Sequence, residues 1–387
     1  MPSATYEAVP EKRLLVACAR THMTGAAAQT IGEVARRPID WKYLIQTAAE
    51  NSVMPLLALQ LPAVAGDSFS PEQLEQLQAA ARAAGIRALQ LSAELIHVVD
   101  GLRAAGIVAL PYKGPVLAQQ AYGDLALREF EDLDIVLPQR QITHANEVMI
   151  GLGYRPKYPW LLDASSLVPG EYDYFDESRR VIVELHTEST LRHFPVAPDL
   201  EQMSKSAARV AVGGHAVGTF SNEDTLVLLC IHGSKDFWER ISWIADVAEF
   251  VQSVTPLDWA LVLGRAERFK AQRMLFVGLA LAASLLGAPL PDEIRTRIEA
   301  DPLAEAIAAD VEQRLLARKL RARSAAESFH YRRQMVPGAA DSWEYALRLA
   351  MVPAEEDWMM VRLPRAMTPM YVALRPLRLF RKYKASR

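Results

Sequence analysis

Two changes of hydrophobic period divide this chain into three stretches. Before residue 107, the apolar positions of EKRLLVACAR, WKYLIQTAAE and MPLLALQL recur every three to four residues, the spacing of helices that bury one face. The best-marked helix opens at Ser70-Pro71-Glu72-Gln73, where a serine N-cap, a proline at the first helical position and a glutamine at the third reinforce one another. It should run through alanine-rich sequence to about Ala105, with Gly85 a candidate interruption and Gly106 its stop. From Ile107 the pattern switches. IVALPY reads as a short strand, followed by Lys113-Gly114-Pro115 and an amphipathic helix over VLAQQAYG. LDIVLP is a second strand and THANEVMIGLGY a helix ending near Gly153, while YDYFDES and VIVELH form a strand pair across Arg179-Arg180. From Ser221 the period is helical again, broken around Thr255-Pro256, Gly287–Pro291, Pro337-Gly338 and Pro353. The layout is α+β: a small mixed-sheet core over 107–220 between an N-terminal helical region, 1–106, and a C-terminal one, 221–387.

Composition adds exclusions. With 387 residues, 51% apolar and 23% charged, the chain is neither disordered, collagen-like nor a disulfide-stapled scaffold. Cys18 and Cys230 lie far apart in apolar runs, so no disulfide framework or cysteine metal cage can be built, which fits a reducing cytoplasm. The longest uncharged stretch, Met274 to Leu290, falls short of the ~20 apolar residues of a membrane span. Leu14–Ala19 is likewise too short for the core of a secretory signal, so the expectation is a cytoplasmic chain with no transmembrane segment. A net charge of -3 conceals an asymmetry: residues 311–387 hold 16 Lys or Arg against 7 Asp or Glu, and Val361–Arg387 holds eight basic residues and no acidic one. Such a tail suits an anionic partner (nucleic acid, nucleotide phosphates or a membrane surface) or, equally, a solvated helix face that balances an acidic body.

The sharpest chemical feature is Glu131-Asp132-Leu133-Asp134-Ile135-Val136-Leu137. Side chains alternate along a strand, so Asp132 and Asp134 share a face, among apolar neighbours. Two carboxylates so placed need a cation, and Mg²⁺ accepts one or two protein carboxylates with water and substrate phosphates completing its shell. The alternative is an exposed aspartate pair at a sheet edge. A third acid would be required for two metals to clamp an in-line displacement, and Glu184 in VIVELH is the candidate. Read alone, that triplet is a strand-end histidine beside a surface glutamate. Lys113-Gly114-Pro115, between a strand and a helix, offers close backbone approach and a charge to phosphates, although no Gly-rich P-loop occurs. Farther on, Lys235, Trp238 and Ser242 fall on one side of a helix by three-to-four spacing, with Asp246 one turn along. They suit a nucleotide's phosphates and base, or else a core tryptophan beside a Lys235–Asp246 ion pair.

The order strand, Lys-Gly turn, helix, Arg128, Asp-x-Asp strand and later acidic strand resembles the nucleotidyltransferase superfamily that includes DNA polymerase beta. It is most similar to a bacterial branch of uncharacterised nucleotidyltransferase family proteins. The matching residues are Lys113-Gly114, Leu117-Ala118, Tyr122, Arg128 and Asp132-Leu133-Asp134-Ile135-Val136. The likeness continues through His232, Gly233, Lys235, Trp238, Arg240, Trp243 and Asp246, and through EEDWMMVRLP and RPLRLFRKY, so that it spans most of residues 70–383. The chain departs from the pattern at Lys113-Gly114, where the superfamily has Gly-Ser or Gly-Gly, at Glu184 for the commoner Asp, at Thr187 for Trp and at Asp236 for His. The resemblance implies a nucleotidyltransferase core and a Mg²⁺-dependent enzyme with two ions. It would move a nucleotidyl group from an NTP, ATP or GTP, to a hydroxyl of a peptide or small molecule. In that reading Asp132, Asp134 and Glu184 are the catalytic and metal-binding acids, and Lys113, Gly114, Arg128, Lys235 and Trp238 bind the nucleotide. Three alternatives stand beside it: a kinase using the same site, a catalytically silent nucleotide-binding scaffold, and an enzyme acting on RNA, the last without a recognisable RNA-binding motif.

Overall fold

The computed structural model describes residues 9–159, 170–188, 194–196, 198–318, 322–353, 355–361, 363, 367 and 370–384. Ser70 caps the helix Pro71–Ala104 as its sequence requires: the Gln73 N–H donates to Ser70 Oγ and the Ser70 N–H donates to Gln73 Oε1. The helix passes through Gly85 without a break. The helices Pro10–Cys18, Trp41–Glu50 and Met54–Ala65 precede it as the period predicts.

A five-stranded mixed sheet follows, built from β1 (Leu110–Pro111), β2 (Asp132–Val136), β3 (Arg155–Pro156), β4 (Glu171–Asp176) and β5 (Val181–His186). Its order is β1-β2-β5-β4-β3. Only β2 and β5 run parallel, with Asp134 opposite Glu184 and Val136 opposite His186, while β4 lies antiparallel to β5 with Asp173 opposite Glu184 and Glu171 opposite His186. A separate hairpin, β6 (Ala208–Val212) and β7 (His215–Thr219), turns through Gly213 and Gly214, both with positive φ. The expected strand over IVALPY shrinks to two residues. The expected helix over VLAQQAYG splits into one turn, Gly114–Leu117, and a π-turn, Ala118–Tyr122, that Gly123 ends at φ 69°.

The sheet's apolar face carries Leu133, Ile135, Val183 and Leu185, all fully buried, against Leu91, Leu95, Val98 and Leu102 of the long helix. The first part of that helix, through Leu77, belongs to another core, which the N-terminal helices share with Asn222–Lys235, Ile241–Ser253 and Gln272–Leu286. The helices that precede the sheet and those that follow it therefore bury their apolar faces together, with the long helix spanning both cores. Met274–Leu286 lies inside this second core, which accounts for its lack of charge, and among the described residues no helix is long and apolar enough to cross a membrane. Both cysteines are buried and free. Two basic residues of the C-terminal stretch turn inward: Arg375, 1% exposed, donates to Asp357 Oδ2 at 2.8 Å, and Arg378 donates to Asp357 Oδ1. The side chains of the other six lie outside the described residues.

Candidate active site

The site stands on the polar face of β2 and β5, opposite the buried aliphatic face. Alternation places Asp132 and Asp134 there, as the sequence predicts, and the parallel register lays Glu184 directly beside Asp134. Burial disfavours the ionised form of Asp134, which is 5% exposed, but Lys113 and His186 more than offset this and hold its carboxyl well below the usual carboxylate range. Lys113 Nζ donates to Asp134 Oδ1 at 3.0 Å, and His186 Nε2 lies 3.0 Å from the same oxygen. For Lys113 the balance also favours the ion: burial penalises its charge, and Asp134 raises its pKa above the ordinary value. Asp132 behaves oppositely. Burial, together with the charges of Asp134 and Glu184, pushes its carboxyl up to about 6.

Two groups of donor atoms converge on this face, each with its atoms within 4.8 Å of one another: Asp134, Glu184 and His186, and Glu171, Asp173 and Glu184. Glu184 belongs to both, and Asp132, two residues along β2 from Asp134, to neither. His186 is buried, its Nε2 3.4 Å from Glu184 Oε2 and its Nδ1 3.8 Å from Glu171 Oε2, and the ring packs edge-on against Tyr112. Burial lowers its affinity for a proton, yet hydrogen bonds with Asp134 and Glu184 raise its pKa to about 9. Asp173 is drawn toward Lys157 Nζ at 2.6 Å. The oxygen-rich donor set fits a divalent metal ion, whose charge would offset the cost of ionising Asp132.

Lys113 reaches the site because Gly114 follows it at φ 52°, a left-handed conformation that favours glycine, and the Nζ also lies 4.9 Å from the Tyr112 ring centre. Arg128 is held from behind. Its Nε and Nη2 donate to the two oxygens of Asp246 at 2.8 and 2.9 Å, Tyr122 Oη donates to the first at 2.8 Å, and Arg128 Nη1 is buried with no hydrogen-bond partner. Asp246 thus pairs with Arg128 and not with Lys235.

The Lys235, Trp238 and Ser242 face does not form. The helix Asn222–Lys235 stops at Lys235, Phe237 and Trp238 adopt φ of 63° and 54°, and a new helix begins at Ile241. Trp238 folds back with its N–H on the Gly233 carbonyl at 2.8 Å and its ring, fully buried, in the space left by the missing side chains of Gly233 and Gly278. Its Nε1 donates to Ser234 Oγ, so the ring offers no face to a base. Lys235 remains part-exposed near Asp236, at 3.8 Å. Beside it, burial together with the charges of Lys113 and Lys235 keeps His232 well below its ordinary pKa, and hence neutral. The structure therefore brings together Asp132, Asp134, Glu184, Lys113, Gly114 and Arg128 and leaves Trp238 in the core. It adds His186 and Glu171, for which the sequence held only the strand alternation of Glu184-Leu185-His186 as a signal.

Convergent carboxylates on one sheet face, with Lys113 hydrogen-bonded to Asp134 and Arg128 close by, are groups of the kind that can hold a divalent cation and a phosphate. The chain belongs to the family described as uncharacterised nucleotidyltransferase, which matches residues 37–287, and it is accordingly a nucleotidyltransferase, with a nucleoside triphosphate as substrate. Among curated proteins none matches it.

Proposed function

We propose that this protein transfers a nucleotidyl group from an NTP, ATP or GTP, to a hydroxyl of a peptide or small-molecule acceptor, with Mg²⁺ bound by Asp132, Asp134 and Glu184. The observation that supports this most strongly is the parallel pairing of β2 with β5, which sets Glu184 beside the Asp132–Asp134 face. A bound divalent ion supplies electrostatic stabilisation of the in-line displacement and eases loss of the acceptor's proton. Asp132 and Asp134 orient the triphosphate by way of that charge, and the high cost of ionising Asp132 is relieved when a cation arrives. Lys113, held by Asp134, and Arg128, whose unpartnered Nη1 suits an anionic oxygen, balance the charge of the phosphates, with the Gly114 amide and Lys235 adding donors. Glu184 accepts the hydroxyl proton of the acceptor as the acceptor's oxygen bonds to the α-phosphorus, and the α–β phosphoanhydride bond breaks to release pyrophosphate. Positioning and electrostatics of this kind supply most of the catalysis in phosphoryl-type transfer.

Thermal-shift measurements with ATP, GTP, CTP and UTP, each with and without Mg²⁺, test the reading. A ligand at 100 times its Kd stabilises by about 2.7 kcal/mol. The expected result is a Mg²⁺-dependent shift for at least one nucleotide that Asp132→Asn abolishes. Absence of any divalent-dependent shift with all four nucleotides overturns it.

A further inference from the structure

Beside the all-oxygen group of Glu171, Asp173 and Glu184, the sheet assembles a second group that includes a nitrogen. Beside Asp134 Oδ1 stands a nitrogen, His186 Nε2, at 3.0 Å, with Glu184 Oε2 3.4 Å from that nitrogen. Adjacent ligands of an octahedral ion bound at about 2.1 Å are separated by roughly √2 times that distance, about 3 Å. Two of the three separations among these donors, both measured from His186 Nε2, are already near that spacing, and all three atoms lie within 4.8 Å of one another. The other ring nitrogen completes the pattern: Nδ1 faces Glu171 Oε2 at 3.8 Å, and Glu171 sits directly across the β4–β5 ladder from His186. A carboxylate beside the free nitrogen is the usual outer partner of a metal-bound histidine, since it fixes the ring's orientation and makes the coordinating nitrogen more basic. The ring is further held edge-on by Tyr112. His186 is buried, so no surface role accounts for its placement.

We propose that His186 Nε2 is a metal ligand and, with Asp134 and Glu184, forms a two-carboxylate, one-imidazole site that takes a first-row divalent transition ion, Mn²⁺ foremost, in preference to Mg²⁺. The inference rests on the metal-dependent reading above and specifies the ion. Its chemical basis is donor type. Mg²⁺ is confined largely to oxygen ligands, whereas imidazole favours transition ions, and among these Mn²⁺ keeps the strongest taste for carboxylates. Glu171 acts here as a positioning residue that orients the imidazole. Asp132 then remains for the ion that arrives with the triphosphate, which explains why it stands outside the closely spaced group.

Mn²⁺ binding to the full-length protein at pH 8, where fewer protons compete for the ring nitrogen, is the test. It is read by electron paramagnetic resonance, with pulsed detection of nitrogen coupling, and by calorimetric titration of Mn²⁺ and Mg²⁺. The expected result is one tight Mn²⁺ site with a nitrogen coupling from the imidazole, bound at least tenfold more tightly than Mg²⁺. His186→Gln should remove the coupling and weaken Mn²⁺ by about 10- to 100-fold or more, the range that loss of an outer partner alone produces. Glu171→Gln should keep the coupling while weakening the ion less. Circular dichroism of each variant separates loss of a ligand from loss of the fold. Mn²⁺ bound without nitrogen coupling, and equally well by His186→Gln, overturns this inference and leaves the carboxylate-based function standing. Failure of the wild-type protein to bind either ion, with or without nucleotide, overturns both.

Discussion

The two aspartates of β2, separated by one residue, should respond in opposite directions to the same amide substitution. Asp132 titrates near 6 when folded and near its ordinary 3.8 when unfolded, because burial and the carboxylates of Asp134 and Glu184 oppose its charge. Between those values the folded protein keeps a proton that the unfolded chain has released, so stability falls as pH rises from about 3.8 to 6 and stays lower above. The full shift corresponds to about 3 kcal/mol, and solvent reaching this partly exposed carboxyl reduces the effect to about 1–2 kcal/mol. Asp132→Asn removes the penalty, and should stabilise the metal-free protein at pH 8 with a gain that shrinks toward pH 4. Asp134 is the reverse case. Its carboxylate compensates Lys113 and His186, both within 3.0 Å, and its amide leaves two buried cationic groups without their counter-ion. Breaking a buried pair from one side costs about 3–5 kcal/mol, and the amide oxygen that remains as an acceptor puts Asp134→Asn near the lower figure. That loss should be undiminished at pH 5, since a depressed carboxylate pKa contributes stability everywhere above the unfolded value. For 387 residues unfolding as one cooperative unit, the entropy of unfolding is about 0.8 kcal/mol/K. The expected changes in Tm are therefore about +1 to +3 °C for Asp132→Asn and about -4 °C for Asp134→Asn. Thermal unfolding in a chelating buffer at pH 8 and pH 5 measures both. A destabilised Asp132→Asn at pH 8, or an unchanged Asp134→Asn, would show the charge assignment on this sheet face to be wrong.

Asp246→Ala should cost about 3–5 kcal/mol in urea unfolding, because it strands the buried Arg128 guanidinium, and Arg128→Met/Asp246→Leu should recover most of that loss; a double variant as unstable as the single one contradicts the pairing. Gly233→Ala would set a methyl 2.4 Å from the Trp238 ring, which Gly278 confines on its other side. Overpacking of this kind costs about 1–3 kcal/mol or more, and the tryptophan emission should shift to the red; an unchanged Tm and emission would mean that Trp238 does not occupy this slot.

Much of the fold could be read residue by residue where the signal is local. The capping box at Ser70 and Gln73 needs only four consecutive residues, and it is present as expected. The β4–β5 pair and the shared face of Asp132 and Asp134 follow from a period of two. The β6–β7 hairpin is encoded just as locally, since Gly213-Gly214 between ARVAV and HAVGT is a strong turn signal. The helix over VLAQQAYG is present from Val116 to Tyr122, its second half wound as a π-turn. The Lys235–Ser242 face, an extrapolation of a 3.6-residue period, does not form, because the helix ends at Lys235 and Trp238 turns back onto Gly233.

What the sequence determined by itself is the set of elements and the chemistry offered by one strand. Alternation along β2 sends Leu133 and Ile135 into the core and leaves Asp132 and Asp134 together, whatever the strand pairs with. Which groups those aspartates meet was decided only by tertiary structure. His186 stands 52 residues from Asp134, and Asp246 stands 118 from Arg128. The first pair depends on the parallel register of β2 and β5, the second on how the helix Ile241–Ser253 packs against the turn between β1 and β2. A one-residue slip of β5 would turn Glu184 and His186 to the opposite face without altering any local preference. Local periodicity encodes which face a side chain takes, whereas the identity of its partner is set by the burial of apolar surface over the whole chain.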